Sequence, residues 1–191
     1  MSRVPPPAEW SDTLLAQRAE RDRFFRENPE SPLPEGAASG FRGLEYWDPD
    51  PGYHFVGPVN LHYQPERFTI VTTTGKERPC EKVGWVRFSI GGEEHTLQVY
   101  RLLDQPSRPG DPGYFLPFMD ATTGTETYPA GRYVDLVGPV GGPFVLDFNT
   151  AYNPFCAYGA PERYVCPRTP AENRLAVRVE AGERGYHRGE G

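Results

Sequence analysis

The sequence predicts a mainly β fold, a small antiparallel β-barrel or sandwich with one N-terminal α-helix packed on it. Three observations indicate this class. Short runs rich in β-branched and aromatic residues follow one another, and 21 Gly and 22 Pro among 191 residues supply frequent turns between them. Aromatic residues make up 13% of the chain, and each ring buries a large area. No second stretch matches the helical apolar spacing found near the N-terminus.

The predicted helix lies within Pro5–Glu27. Its apolar side chains can share one stripe, formed by Trp10, Leu14, Leu15, Phe24 and Phe25. Asn28-Pro29 ends it, because a residue before proline disfavours the helical conformation. We expect the helix to cover one face or end of the β domain, and a partner-binding or dimerising arm is the alternative. The predicted division is a helix with a Pro/Gly-rich linker over residues 1–40 and a β domain over residues 41–191.

Seven runs bounded by Gly, Pro or Asp are predicted to be strands: Phe68–Thr73, Val83–Ile90, His95–Leu102, Tyr114–Met119, Arg132–Val137, Phe144–Asn149 and Leu175–Glu180. The G-G-E-E connection after Ile90 predicts a hairpin over Val83–Leu102. Short strands with closely spaced turn signals are typical of antiparallel barrels and sandwiches.

Composition argues against several classes of function. The net charge is −6 and no basic block occurs, so no nucleic-acid partner is expected. No apolar run approaches the roughly 20 residues of a membrane helix, and the first residues lack the hydrophobic core of a signal peptide. We therefore expect a cytoplasmic protein without membrane attachment.

The cysteines and histidines predict no metal site and no cofactor. Three cysteines do not make a disulfide framework in a reducing compartment: Cys80, Cys156 and Cys166. Structural zinc needs four ligands, and neither CxxC nor HxxxH occurs. The histidines are scattered, at His54, His62, His95 and His187.

A hairpin over Arg132–Asn149 is the centre of the predicted site. The G-P-V-G-G-P stretch reads as its turn, with Val137 opposite Phe144. Because side chains alternate along strands, a cation, a carboxylate and an amide then converge at its open end: Arg132, Asp147 and Asn149. Asp147 and Asn149 can instead cap a turn, and Arg132 can pair with a carboxylate, either Asp147 or Asp135.

The following loop, D-F-N-T-A-Y-N-P-F-C-A-Y-G-A-P-E-R-Y-V-C, supplies the remaining candidates. Four of its residues complete the predicted ligand site: Tyr152, Asn153, Cys156 and Tyr158. The tyrosines can stack on a ligand or pack the loop against the β domain. Cys156 is interpreted as a buried inert thiol, with a Cys156–Cys166 disulfide or a catalytic thiol as alternatives.

Several long motifs resemble one prokaryotic family. They include F-M-D-A-T-T-G-T-E-T-Y-P-A-G-R-Y-V-D-L, V-L-D-F-N-T-A-Y-N-P-F-C-A-Y, Y-V-C-P-R-T-P-A-E-N-R-L and E-A-G-E. The chain resembles, from about Trp10 to Glu183, the family catalogued as domain of unknown function 1684. Pro129-Ala130 and Phe155 depart from that family's pattern in loops. The resemblance implies no activity, cofactor or catalytic residue.

The leading hypothesis is a module that binds a small polar ligand in a pocket between the 132–149 hairpin and the 150–166 loop. The second is a hydrolase-like enzyme in the same pocket, with Asp147 or Glu126 as acid/base or Cys156 as nucleophile. The third is a structural or partner-binding protein. A monomer or a homodimer is expected.

Overall fold

The structure is a computed structural model that describes residues 1–105, 111–139, 141–159 and 163–186. These residues form one α-helix and eight strands. The helix α1 spans Trp10–Glu27, and the strands are β1 (Ser2–Arg3), β2 (His54–Gly57), β3 (Asn60–Val71), β4 (Glu77–Ile90), β5 (Glu93–Leu102), β6 (Phe115–Phe118), β7 (Arg132–Asp135) and β8 (Phe144–Asp147).

The strands form two antiparallel sheets that pack against each other. One sheet has the order β1-β2-β8 and the other β3-β4-β5-β6-β7. The ring of Phe55 in β2 lies 5.3 Å from that of Phe88 in β4, and Phe148, directly after β8, lies 5.2 Å from Phe118 in β6. All four rings are buried, and burying each contributes about 2–3 kcal/mol. The sandwich alternative is confirmed, because the described strands form two sheets rather than one closed barrel.

The predicted hairpin over Val83–Leu102 is present. Ile90 pairs with Glu93 across Gly91 and Gly92. Both glycines have positive φ, 62° and 86°, as a two-residue turn between twisted strands requires.

Helix α1 packs on the β domain through fewer side chains than its apolar stripe predicts. Its C-cap is Asn28, as expected from Asn28-Pro29. Leu14 and Phe25 are buried, whereas Leu15 is 49% exposed. The Phe25 ring meets the Tyr158 ring edge-on at 4.6 Å. Within the described residues, no helix combines the length and apolar character that a membrane crossing requires. The division at residue 40 stays a prediction.

The predicted hairpin over Arg132–Asn149 is wrong. β7 pairs with β6, and β8 pairs with β2, so its two strands lie in different sheets. Val137 forms an isolated bridge to Val145, one residue away from the predicted partner Phe144. The prediction failed because β2 was not recognised as a strand, and β2 takes the hydrogen-bonding edge of β8. Residue 140 of the intervening turn lies outside the described residues.

The run Leu175–Glu180 does not form a strand in the described chain. Its first N–H donates to the carbonyl of Met119 at 2.8 Å, and the Val177 carbonyl accepts from the Ala121 N–H at 3.0 Å, but only an isolated bridge between Met119 and Arg174 results. Farther along, the Val179 carbonyl accepts from Arg132 at 2.9 Å, and the Val179 N–H donates to Asp120 at 2.7 Å. At Val179, side chains therefore satisfy the backbone groups that a neighbouring strand would otherwise pair.

Candidate functional site

Arg132 lies in the core rather than at an open hairpin end. It is 1% exposed, and its guanidinium donates to the carbonyls of Val179, Ala181 and Glu183 at 2.9, 2.6 and 3.1 Å. Its carboxylate neighbour is Asp120, at 3.6 Å, not Asp147 or Asp135. The rings of two aromatic residues lie within 5.2 Å of the guanidinium carbon, namely Trp47 and Phe118. Arg132 therefore anchors the segment of residues 179–183 to the core.

Asp147 and Asn149 join three segments of the chain. Asp147 accepts from the indole N–H of Trp10 at 2.7 Å and caps the turn that follows β8 by accepting from the Asn149 N–H at 2.9 Å. The Asn149 amide donates to the carbonyl of Asp50 and accepts from its N–H, both at 2.8 Å. These contacts correspond to the alternative prediction, in which Asp147 and Asn149 cap a turn. Glu126, the other candidate acid/base, pairs instead with Arg178 at 2.7 Å.

Asn153 and Tyr158 converge on a carboxylate that the sequence interpretation missed. Glu183 is fully buried, and it accepts from the Asn153 amide at 2.9 Å and from the Tyr158 hydroxyl. Arg21 of α1 lies 3.3 Å from the same carboxylate. Burial raises the pKa of Glu183, and the charge of Arg21 opposes that shift. This cluster ties α1, the loop after β8 and the C-terminal segment together.

The motif E-A-G-E contains a sequence signal that could have identified Glu183 as a buried residue, namely the glycine before it. Gly182 has φ +78°, and a Cβ placed there would lie 2.6 Å from the carbonyl oxygens of Phe148 and Ala151. The glycine lets the chain pass that close, so that the Glu183 N–H reaches the Ala151 carbonyl at 2.8 Å. In this chain, the glycine of the motif therefore precedes a buried carboxylate whose backbone lies in close contact with Ala151.

The Tyr152 ring lies 5.4 Å from the Arg21 guanidinium carbon and forms part of the wall of a cavity of about 1090 Å³. The cavity lies between the end of β7 and the segments around Pro154 and Cys166. Aromatic side chains form much of its wall: Tyr114, Phe115, Tyr133, Tyr152, Phe155 and Tyr164. Its volume is slightly above the range of roughly 300–1,000 Å³ that is typical of small-molecule sites.

Asp135 presents a carboxylate to this cavity. The Tyr152 hydroxyl donates to both of its oxygens, at 3.2 and 3.3 Å, and in the described residues no cation lies within ion-pair distance. Asp135 is exposed to solvent on the cavity wall. Partial desolvation beside the neighbouring chain raises the pKa of Asp135, and the nearby charge of Asp111 adds to this shift.

The cation on the cavity wall already has a partner. Arg78 donates two hydrogen bonds to the Asp104 carboxylate, with nitrogen–oxygen distances of 2.8 and 2.7 Å. It also donates to the Val165 carbonyl at 3.3 Å. The two other charged residues on the described wall are Asp111 and Asp135. The cavity therefore carries negative charge without a free counter-charge among these residues.

Cys156 is a buried thiol beside the same region. Its sulfur lies 3.7 Å from the Tyr128 hydroxyl. The neighbouring Cys166 and the Tyr128 hydroxyl lower the pKa of Cys156, although burial opposes its ionisation. The neighbouring Cys156 and burial raise the pKa of the Cys166 thiol. Both cysteines are free thiols, as is Cys80.

The structure thus separates the seven predicted site residues into groups. Tyr152 lines the cavity, and the Cys156 thiol lies 3.7 Å from the Tyr128 hydroxyl. The others form the buried contacts described above: Arg132, Asp147, Asn149, Asn153 and Tyr158. A joint ligand site of all seven stays a prediction. Among the described residues, no three His, Cys, Asp or Glu side chains are grouped to hold a metal ion, and His187 lies outside those residues.

Comparisons with known proteins agree with the fold and with the family resemblance. The solution NMR structure of an uncharacterized protein of Haloarcula marismortui is 38% identical, with a TM-score of 0.68, over 92% of this chain and 94% of that chain. No curated protein matches the sequence. Residues 39–184 match the model of a family described as "Protein of unknown function (DUF1684)". The predicted resemblance is confirmed, and the chain belongs to this family.

Proposed function

We propose that this protein binds a small cationic molecule with an aromatic or apolar body in the cavity beside Tyr152. The observation that carries the proposal is the Asp135 carboxylate, which faces the cavity and has the Tyr152 hydroxyl as its hydrogen-bond partner in the described chain. A cationic group placed beside it would form a charge-assisted hydrogen bond, which is stronger than one between neutral groups.

The aromatic walls suit the same class of ligand. The rings of Tyr133 and Tyr152 meet edge-on with centroids 5.8 Å apart, and Phe115 meets Tyr133 in the same way at 5.9 Å. Such a wall provides apolar surface for the ligand body. A cation within about 6 Å of a ring face is also attracted by the ring quadrupole, by roughly 0.5–2 kcal/mol.

The charge balance of the cavity favours a cation over an anion. Asp111 and Asp135 both contribute negative charge, and Arg78 is engaged by Asp104. Because desolvation and the nearby charge of Asp111 raise the pKa of Asp135, a bound cation would relieve an existing electrostatic cost. An anionic ligand of the same shape would increase it.

A thermal-shift titration tests the proposal with phenethylamine and benzyltrimethylammonium as cationic probes. Phenylethanol and phenylacetate are the neutral and anionic controls. A ligand that binds only the native state raises the melting temperature. At a concentration of 100 times its Kd, it adds about 2.7 kcal/mol to the free energy of unfolding. We expect the cationic probes to raise the melting temperature more than either control.

Two variants connect the result to the cavity. Asp135→Asn keeps the shape but removes the charge, and we expect the Kd for the cationic probes to rise about 10- to 100-fold. Asp12→Asn, in the exposed first turn of α1, is the matched control and should leave the Kd unchanged. Equal binding by folded Asp135→Asn, stronger binding of phenylacetate, or no shift with any cationic probe would contradict the proposal.

A further inference from the structure

A second cavity, of about 580 Å³, lies against the five-stranded sheet. Strands β3, β4 and β5 form it together with the 3-10 turn Ala171–Asn173. Among the described residues, it shares no part of its wall with the cavity beside Tyr152. Its volume is within the range of roughly 300–1,000 Å³ that is typical of small-molecule sites. The ligand proposed for the other cavity does not account for it.

A bulge in β3 directs side chains into this second cavity. The pairing of β3 with β4 is interrupted, so that residues 62–65 lie opposite Val83 alone. Beside the bulge the two strands approach so closely that a Cβ on Gly84 would lie 2.3 Å from the Asn60 carbonyl oxygen, and a glycine is therefore required there. Bulges of this kind re-aim side chains and are common next to functional sites. Three bulge residues line the cavity: His62, Tyr63 and Gln64.

Buried side chains fix the opposite wall. The Asn173 amide is fully buried and is hydrogen bonded to both backbone groups of Gln98, at 2.8 and 2.9 Å, and to the Pro117 carbonyl at 2.8 Å. The hydroxyl of Tyr100, another fully buried residue, donates to the Glu172 carboxylate at 2.8 Å. These contacts hold the wall in place before a ligand arrives, which lowers the entropic cost of binding.

The charged groups of this cavity are paired with one another. The ammonium group of Lys82 lies 3.0 Å from the carboxylate of Glu172 and 3.3 Å from that of Glu66. An anionic ligand would have to displace these carboxylates from the lysine, and a cationic ligand would have to displace the lysine. The cavity therefore favours an uncharged ligand.

The polar groups that remain free in this cavity are neutral. The side-chain amides of Gln64 and Gln98 have no hydrogen-bond partner in the described part of the chain, and each amide both donates and accepts. Tyr63 is 98% exposed, and no other ring of the described residues stacks on it. The cavity thus combines an open aromatic face with free donors and acceptors.

We propose that this second cavity binds a neutral sugar in its pyranose form. The face of a pyranose ring that carries C–H groups is apolar and packs on the Tyr63 ring, whose π face is negative. Sugar hydroxyls both donate and accept, and they match the amides of Gln64 and Gln98. The inference goes beyond the cation proposed for the cavity beside Tyr152 and does not depend on it.

An NMR titration of the isotope-labelled protein tests this inference with methyl β-D-glucopyranoside, methyl β-D-galactopyranoside and methyl α-D-mannopyranoside. Sorbitol is the control, because it carries similar hydroxyl groups but has no ring to stack. We expect at least one glycoside to shift the backbone amide signals of residues 62–64 and of Gln98 in a saturable manner. Sorbitol should leave these signals unchanged.

Substitutions on β3 connect the binding to the cavity. Tyr63→Ala removes the stacking ring from a position that is 98% exposed, so little packing is lost. We expect it to raise the Kd for the bound glycoside at least about tenfold, whereas Tyr63→Phe keeps the ring and should change the Kd by less than about twofold. Gln64→Ala should raise the Kd severalfold. Leu61→Ala is the matched control, because Leu61 is exposed on the same strand but does not line the cavity.

Three results would overturn the inference. The first is that none of the glycosides gives saturable shifts at these residues, and the second is that sorbitol gives the same shifts. The third is that folded Tyr63→Ala binds the glycoside as well as the wild type does. The wild-type titration decides the first two without any variant.

Discussion

Arg21 and Glu183 form an ion pair that connects the N-terminal helix to the C-terminal segment of the described chain. The Nε atom of Arg21 lies 3.3 Å from the Oε2 atom of Glu183, and the Glu183 side chain is 1% exposed. The carboxylate also accepts from the side-chain amide and the backbone N–H of Asn153 and from the Tyr158 hydroxyl. A buried charge is tolerated when partners of this kind surround it, and removing one member leaves the others uncompensated.

The first prediction concerns this cluster. Glu183→Ala should lower the free energy of unfolding by about 3–5 kcal/mol, because it opens a cavity and leaves Arg21 without its carboxylate. Urea denaturation followed by circular dichroism measures this loss. Glu180→Ala is the matched control, since Glu180 pairs with Arg178 at the surface and should cost at most about 1 kcal/mol. Equal losses in the two variants would contradict the structural role of Glu183.

The second prediction decides whether α1 is part of the folded domain or a separate arm. Leu14 is 3% exposed, and its neighbour Leu15 is 49% exposed. Leu14→Ala should therefore cost about 2–5 kcal/mol of stability through lost burial and a cavity, whereas Leu15→Ala should cost less than about 1 kcal/mol. The same chemical change is compared at adjacent positions, so helix propensity cancels. If both variants are as stable as the wild type, α1 does not contribute to the core, and the partner-binding arm regains support.

The third prediction is the pH dependence of the proposed cation binding. The carboxylate form of Asp135 is the binding form, and desolvation together with Asp111 raises its pKa, while Arg21 and the Tyr152 hydroxyl oppose the shift. Affinity for benzyltrimethylammonium, whose charge does not titrate, should therefore fall as the pH drops through this raised pKa. The loss should begin above the value of about 3.9 of an ordinary aspartate.

The same shift predicts an opposite effect on the free protein. A carboxyl with a raised folded-state pKa contributes stability that is fully present below its unfolded pKa of about 3.9 and is lost as the pH rises through the folded pKa. Asp135→Asn should consequently melt at a higher temperature than the wild type at neutral pH in the absence of ligand. A variant that is less stable at pH 7 would show that Asp135 has a structural rather than a binding role.

Predictions based on local pattern agree best with the structure. The helix ends at Glu27 because Asn28-Pro29 is a local signal, and the hairpin between β4 and β5 forms because Gly91 and Gly92 adopt the positive φ that its turn needs. The prediction at Arg132–Asn149 failed because strand pairing is not local. The backbone of β8 could hydrogen bond to β7 as well as to β2. With only four residues, β2 is too short to be distinguished from a loop segment by its length or composition.

The candidate site was predictable only in outline. The loop after β8 does form part of the cavity wall, and Tyr152 was among the predicted residues. Asp135 was noted only as a partner for Arg132, because its position on a strand does not indicate what lies opposite it. Glu183 was missed as a buried carboxylate, since a charged residue near a chain end is ordinarily exposed.

The sequence by itself therefore determined the mainly β class, the N-terminal helix, the hairpin over Val83–Leu102 and the family. These depend on backbone preferences, side-chain periodicity and long motifs, all of which are written in consecutive residues. Only the tertiary structure decided that Arg132 is enclosed by carbonyls, that the Tyr152 hydroxyl donates to Asp135 on the cavity wall, and that Glu183 is a buried carboxylate. The partner of a polar side chain is set by which distant segments pack together, and that packing follows from burial of the whole core rather than from any local pattern.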